Sequence, residues 1–180
     1  MSEKQERHTM VAWLEDKPGV LNRVSGLFGR RNFNIESLTV GHSETPGISR
    51  MTFVALGTPR DMAQIRTQLN KLINVTDIQD VTERPSITRE LALIKVKANG
   101  SNRAEVLQLV DIYRAKVVDV ALESIIIEIV GPEERVDSLI ELLAHFGIEE
   151  MVRTGRVAME RGHRNGSETA VATAYKNGQH

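Results

Sequence analysis

The sequence predicts an α+β protein made of two ferredoxin-like βαββαβ units, and three observations carry that prediction. Strand-like and helix-like periodicities succeed one another in the order strand, helix, strand, strand, helix, strand, and the order then repeats. A polar stretch around Pro85 separates the two runs. The 180 residues, 41% apolar and 26% charged, are enough for two modest cores of about 80 residues each. The predicted division is a first domain over 8–82, a linker over 83–88, a second domain over 89–160 and a mobile tail over 161–180.

The first unit opens with a short apolar strand, Thr9 to Leu14, which Lys17-Pro18-Gly19 ends. Val20, Leu21, Val24, Leu27 and Phe28 then draw one apolar stripe on a helix that closes near Arg31-Asn32. Phe33 to Val40 and Ser49 to Leu56 read as an antiparallel pair joined by the loop GHSETPGI. Thr58-Pro59-Arg60-Asp61 supplies an N-cap, a proline at the first helical position and an acid at the third. Met62, Ile65, Leu69, Leu72 and Ile73 follow in helical register, and Val75 to Val81 closes the unit as a strand.

In the second unit Leu91 to Ala98 is a strand, and Asn102 with Glu105 has the spacing of a capping box before Val106, Leu109, Val110 and Tyr113. Lys116 to Val120 and Ser124 to Val130 form the next pair. Gly131-Pro132-Glu133-Glu134 starts a helix with acids in its first turn, where the helix dipole favours them, and Gly147 stops it. Ile148 to Met159 is the last strand.

Charge and composition exclude several classes of function. A net charge of −1 provides no basic field for a phosphate backbone or an anionic membrane. The absence of cysteine removes disulfides, thiolate metal sites and a cysteine nucleophile. Histidines 8, 42, 145, 163 and 180 make no i, i+4 pair, so no metal site is expected; His145 reads as a dipole partner late in its helix. The charged start MSEKQERHTM precedes no signal-length apolar stretch, and no run approaches 18 apolar residues, so the expected location is cytoplasmic.

The stretch EDKPGVLNRVSGLFGRRNFNIESLTVG, Glu15 to Gly41, is richer than a plain turn requires. A helix N-terminus offers unpartnered N–H groups and partial positive charge, so it can hold a carboxylate. Gly19 lets a ligand approach the backbone, and Pro18 fixes φ and removes a competing donor. Each charge-assisted bond contributes roughly 1.5–3 kcal/mol, so the donors of Gly19 and Val20 would anchor an amino-acid carboxylate without an arginine. Asp16 or Asn34 is then placed to accept from the α-ammonium. The same residues also satisfy ordinary turn chemistry.

Asp16-Lys17-Pro18-Gly19-Val20-Leu21 at the head of a βαββαβ unit resembles the ligand-binding signature of ACT domains, which sense small molecules, usually amino acids. PGVLNRVSGLFGRRNFNIESLTVG, SRMTFV, INVTDIQDV and RELALIKV are similar to the small regulatory subunit of acetolactate synthase (acetohydroxyacid synthase). The similarity spans nearly all of 8–160. It implies that the first unit is an ACT domain, and that the chain is a non-catalytic subunit that pairs with itself through its ACT domains. Its implied partner is a large catalytic subunit dependent on thiamine diphosphate, Mg and FAD, which it activates and makes sensitive to branched-chain amino acids, valine foremost. No cofactor is implied for this chain. Carried over by residue, Asp16, Gly19, Val20 and Leu21 form the loop side of the effector site, and Asn34 and Ile35 the side lent by a second protomer. Asp16 departs from the Asn also found in relatives; its charge favours an ammonium and repels a carboxylate set too close. The second unit has Ala98-Asn99-Gly100-Ser101 in place of the Pro-Gly turn, so no site is carried to it.

Three rival readings remain at this level. An enzyme could draw on Glu36, Asp61, Asp77 and Asp80, although no signature groups them. An RNA-recognition module shares the element order and would need exposed aromatic residues on its strands; Phe53 is available, but Ile125-Ile126-Ile127 is aliphatic, and Arg30-Arg31 is a basic spot at a helix end. An ACT-domain sensor serving a different enzyme is the third.

Overall fold

Period-two apolar runs bounded by Gly, Pro and polar residues become strands, and period-3.6 stripes become the helices laid across them. The computed structural model describes residues 4–162. The order is β1 (Glu6–Glu15), α1 (Val20–Arg30), β2 (Asn34–His42), β3 (Ile48–Gly57), α2 (Pro59–Leu69), β4 (Val75–Asp80), β5 (Ser86–Lys97), α3 (Arg103–Ile112), β6 (Lys116–Val120), β7 (Ser124–Gly131), α4 (Glu133–Ala144), β8 (Ile148–Arg153) and β9 (Val157–Glu160). The first sheet is ordered β2-β3-β1-β4 and the second β6-β7-β5-β8, with β9 pairing to β5. All pairings within these orders are antiparallel. The chain divides into two units, one running to Ile87 and regaining the chain at Ala158, the other Thr88–Val157. Each unit is a βαββαβ sandwich of one sheet under two helices.

In the first unit, alternation along β1 sends Met10, Ala12 and Leu14 toward the helices, where they join Met51, Phe53 and Ala55 of β3. Val20, Val24, Leu27 and Phe28 of α1 and Met62, Ile65 and Leu69 of α2 close the core from above. Phe28 and Phe53 meet at a ring-centroid distance of 5.2 Å in a tilted arrangement. The other parity of β1 gives Val11 and Trp13, which pack with Val81 and with Ala158 of β9. Arg50 lies 4.7 Å over the Trp13 ring and donates from Nη2 to the Ala158 carbonyl at 2.8 Å. Burial lowers the Arg50 pKa, against a smaller raising by Glu44.

In the second unit Ala92, Ile94, Val96 and Ala98 of β5 and Ile125, Ile127 and Ile129 of β7 face Val106 and Val110 of α3 and Val136, Leu139 and Leu143 of α4. Glu90 is buried, and its carboxylate is met by Arg153, which also donates to Asp137 at 2.7 Å. A carboxylate this enclosed requires such a partner.

Several expectations need correction. α2 ends at Leu69, so Leu72 and Ile73 are not on its stripe; Leu72 packs against the core from the following turn and Ile73 is exposed. The stretch expected as linker already contains strand, because β5 begins at Ser86. The capping box at Asn102 and Glu105 does not form: the Asn102 side chain instead accepts from the Asn99 N–H at 2.8 Å. The last strand is two strands, β8 and β9, interrupted over 154–156 where Gly155 has φ 80°. The box at Thr58 and Asp61 forms with both of its bonds, and Gly147 leaves α4 at φ 95°. His145 caps α4, its Nδ1 beside the carbonyls of Glu141 and Leu142 at 3.1 and 3.3 Å. The tail from 163 onward lies outside the described residues. No described helix is long and apolar enough to cross a membrane.

Candidate functional site

Helix α1 begins at Val20 with Gly19 as its N-cap, in the left-handed region at φ 83° and ψ −6°. A side chain there would be strained, though a Cβ would meet no atom within 4 Å, so the space before the helix is open. No side chain caps α1. Val20 N–H is engaged weakly with the Lys17 carbonyl at 3.3 Å. Of the residues lining the cleft, Gly19 and Leu21 therefore keep an N–H without a backbone partner, whereas the Val20 N–H expected from sequence beside that of Gly19 is engaged.

The turn is anchored from behind. Glu15 N–H donates to Asn74 O at 2.9 Å and Asp16 N–H to Gly47 O at 2.8 Å. The Asn74 side chain donates to Glu15 Oε2 at 2.5 Å and accepts from Arg23 Nη1 at 2.7 Å, linking the end of β1, helix α1 and the turn before β4. The bond from Asn74, then that from Lys17 at 3.1 Å, holds the Glu15 carboxyl below its ordinary range. Such a frame fixes the direction of the α1 N–H groups without occupying them.

In front of the turn is a cleft of about 690 Å³. Leu14, Val20, Leu21 and Val40 give it an apolar wall; Asp16, Lys17, His42 and Ser49 give it polar corners. Asp16 Oδ2 lies 3.5 Å from His42 Nδ1, so the acid that was expected to meet an ammonium already has a basic neighbour. The arrangement can hold a zwitterion: carboxylate at the helix start, ammonium toward Asp16, side chain along the apolar wall.

The structure brings Asp16, Gly19, Val20 and Leu21 together in this cleft, and leaves Asn34 and Ile35 outside it. These two begin β2, whereas the cleft takes Val40, Gly41 and His42 from the other end of the same strand. Asn34 is exposed, and Ile35 packs against the helix-side core. Sequence reasoning missed Leu14, Val40, His42 and Ser49. The signal was the register: Leu14 pairs with Ser49 and Ser49 with His42, a row that follows once the hairpin over GHSETPGI is counted back from its loop.

The residues of the rival readings have structural employment. Asp61 caps α2 and Glu36 pairs with Arg7 at 2.6 Å. Asp77 accepts from Ile78 N–H and Gln79, and Asp80 from the Thr82 N–H and hydroxyl. Phe53 is fully buried under the helices and presents no face for base stacking. Among the described residues no group of His, Asp and Glu is disposed to hold a metal ion.

The βαββαβ fold and this turn define an ACT-domain protein: residues 12–77 match the family model described as AHAS small subunit-like ACT domain. Residues 89–162 match the model described as small subunit of acetolactate synthase. The chain is 48% identical over 164 residues to the acetolactate synthase small subunit of Mycolicibacterium smegmatis, covering 91% of this chain and 96% of that one. It is 47% identical over 148 residues to that of Bacillus subtilis, covering 82% and 86%. The crystal structure of the small subunit from Thermotoga maritima superposes with a TM-score of 0.82 at 41% identity, over 88% of this chain and 99% of that one. The chain belongs to the acetolactate synthase small-subunit family.

Proposed function

We propose that this chain binds the thiamine-diphosphate-dependent large subunit of acetolactate synthase, raises its activity, and makes it subject to feedback inhibition by a branched-chain amino acid held in the β1–α1 cleft. Its family membership supports the partner. The observation that carries the effector reading is the start of α1: a left-handed glycine, no side-chain cap, and outward N–H groups at the floor of a cleft with an apolar wall. A second protomer, its ACT domain paired edge to edge with the first, brings its Asn34 and Ile35 to the ligand's open side.

Valine is the expected effector. Each buried CH₂ is worth about 0.8 kcal/mol, so its two extra carbons over alanine give tenfold or greater discrimination, whereas leucine and isoleucine differ from it by one carbon. A ligand regulates only if its affinity differs between two states of the assembly; here the effector favours the state that activates the large subunit less. The test is a valine titration of the holoenzyme reconstituted from both subunits. Activation by the small subunit, followed by saturable loss of that activation, is the expected result. An activity that valine leaves unchanged overturns the effector assignment, and an activity that the small subunit leaves unchanged overturns the partner.

A further inference from the structure

The apolar stripe on the helix side of β3 ends in a serine. Met51, Phe53 and Ala55 face the helices, and Ser49 precedes Met51 at the two-residue spacing of a strand, so its side chain lies on the same side. The register agrees: Ser49 is opposite Leu14 of β1 and His42 of β2, as Met51 is opposite Ala12 and Val40. The row Leu14, Ser49 and His42 forms one end of the sheet, and all three line the cleft before α1.

Ser49 is only 9% exposed, and among the described residues no hydrogen bond engages its hydroxyl. In the same hairpin the Ser43 hydroxyl donates to the carbonyls of Thr45 and Ile48 at 3.2 and 2.8 Å. A polar group this enclosed is normally paired, and an alanine would continue the stripe without the cost of an orphaned hydroxyl. The serine therefore suits a partner that comes from the cleft.

Its surroundings say which partner. Asp16 N–H donates to the carbonyl of Gly47, two residues before Ser49, and Asp16 Oδ2 lies 3.5 Å from Nδ1 of His42, the residue opposite Ser49. A carboxylate and an unengaged hydroxyl thus share one corner of the cleft. The carboxylate can only accept, and the hydroxyl can accept beside it, so the group that satisfies both is a donor with several N–H and a positive charge. A ligand carboxylate in that corner would face Asp16 and be repelled. The carboxylate belongs at the start of α1 and the ammonium here.

We propose that Ser49 helps to seat the α-ammonium of the effector: its hydroxyl accepts one N–H while Asp16 accepts another, and the two fix the α-carbon so that the side chain runs along Leu14, Leu21 and Val40. This rests on the effector reading of the cleft and adds to it a residue that selects for the amino group.

The test is calorimetric titration of the full chain with L-valine and with isovalerate, which keeps the side-chain carbons and the carboxylate but has no ammonium. Wild type is compared with Ser49→Ala, which removes the hydroxyl, and Ser49→Cys, which fills the same space with a weak acceptor. Both variants should bind valine about ten- to a hundredfold more weakly, the loss of one hydrogen bond to a charged group, while isovalerate behaves alike toward all three proteins. Three outcomes overturn the proposal: valine affinity within about twofold of wild type in both variants; full recovery by Ser49→Cys alone, which makes the residue a matter of packing; or an equal loss for isovalerate, which makes it general damage to the cleft. A wild-type chain that binds no valine overturns the effector reading itself and Ser49's part with it, whereas valine bound equally by wild type and both variants removes only the role of Ser49.

Discussion

The turn before α1 and the turn before α3 occupy the same place in the two βαββαβ units, and neither helix start has a side-chain cap, yet the side chains around the two turns do different things. Before α1, the side chains anchor the turn from behind, through Asn74, Glu15 and Arg23, and Gly19 leaves the helix start bare. Before α3, the turn satisfies itself. Asn102 accepts from Asn99 N–H, Asn99 accepts from the N–H and hydroxyl of Ser101, and Arg103 donates to the carbonyls of Ala98, Ala121 and Leu122. One topology thus yields a helix start that opens on a cleft with an apolar wall, and a helix start whose turn is tied to neighbouring carbonyls by side chains. The lesson is that the βαββαβ frame makes a helix start available at this place, and the turn residues decide whether it opens on a cleft or is bound into a side-chain network.

The comparison predicts that damage to the first turn is read in effector binding and damage to the second in stability. Gly19→Asp puts a carboxylate where the proposed function seats that of the effector. Losing two charge-assisted bonds of roughly 1.5–3 kcal/mol each should weaken valine inhibition of the holoenzyme more than about a hundredfold, while activation by the small subunit persists. Arg103→Met frees the Ala98 carbonyl of the second turn and the Ala121 and Leu122 carbonyls of the loop between β6 and β7; it should cost about 1–2 kcal/mol in urea unfolding and leave valine affinity unchanged. If it shifted the valine response instead, the division of labour between the turns would be wrong.

Gly19→Ala separates backbone from ligand within the first turn. Its Cβ meets nothing within 4 Å, so only the left-handed φ is penalised, by about 1 kcal/mol. A melting point lower by about 4–8 °C with less than tenfold loss of valine affinity is the expected pair of readings. The smallest effect concerns a helix start that closes on itself, that of α2. The backbone N–H of Thr58, then its hydroxyl, holds the Asp61 carboxyl below its ordinary range. A carboxyl depressed in the folded state contributes stability above its unfolded pKa of about 4 and loses it as pH falls through the folded value. Thr58→Ala removes the hydroxyl's part of this and the cap bond from Asp61 N–H; it should cost about 1 kcal/mol at neutral pH, and its melting point should come closer to the wild type's in acid without reaching it.

Much of this was legible in the residues. The stripe Val20, Val24, Leu27 and Phe28, the box at Thr58 and Asp61, and the stop at Gly147 are local, and each determines its own geometry. The boundaries that moved depend on partners outside the local pattern: β5 begins at Ser86 and β9 exists because they pair with each other, and Asn102 accepts from the Asn99 N–H of its own turn and not from its helix. For the site, the loop side followed from the Pro-Gly turn. His42 and Ser49 did not, since their place in the cleft comes from strand register and no local pattern marks them.

The central claim is that bare N–H groups at the start of α1 hold the carboxylate of a branched-chain amino acid. Trp13 is the chain's one tryptophan and directly precedes the cleft residue Leu14, so its emission offers a second readout beside calorimetry. The decisive measurement is titration of the full chain with L-valine and, separately, with L-valinamide, which has the same side chain and ammonium but no carboxylate. The account predicts saturable binding of valine, and none of valinamide or of valine to Gly19→Asp. Equal binding of the amide, or undiminished binding of valine by the variant, would contradict it.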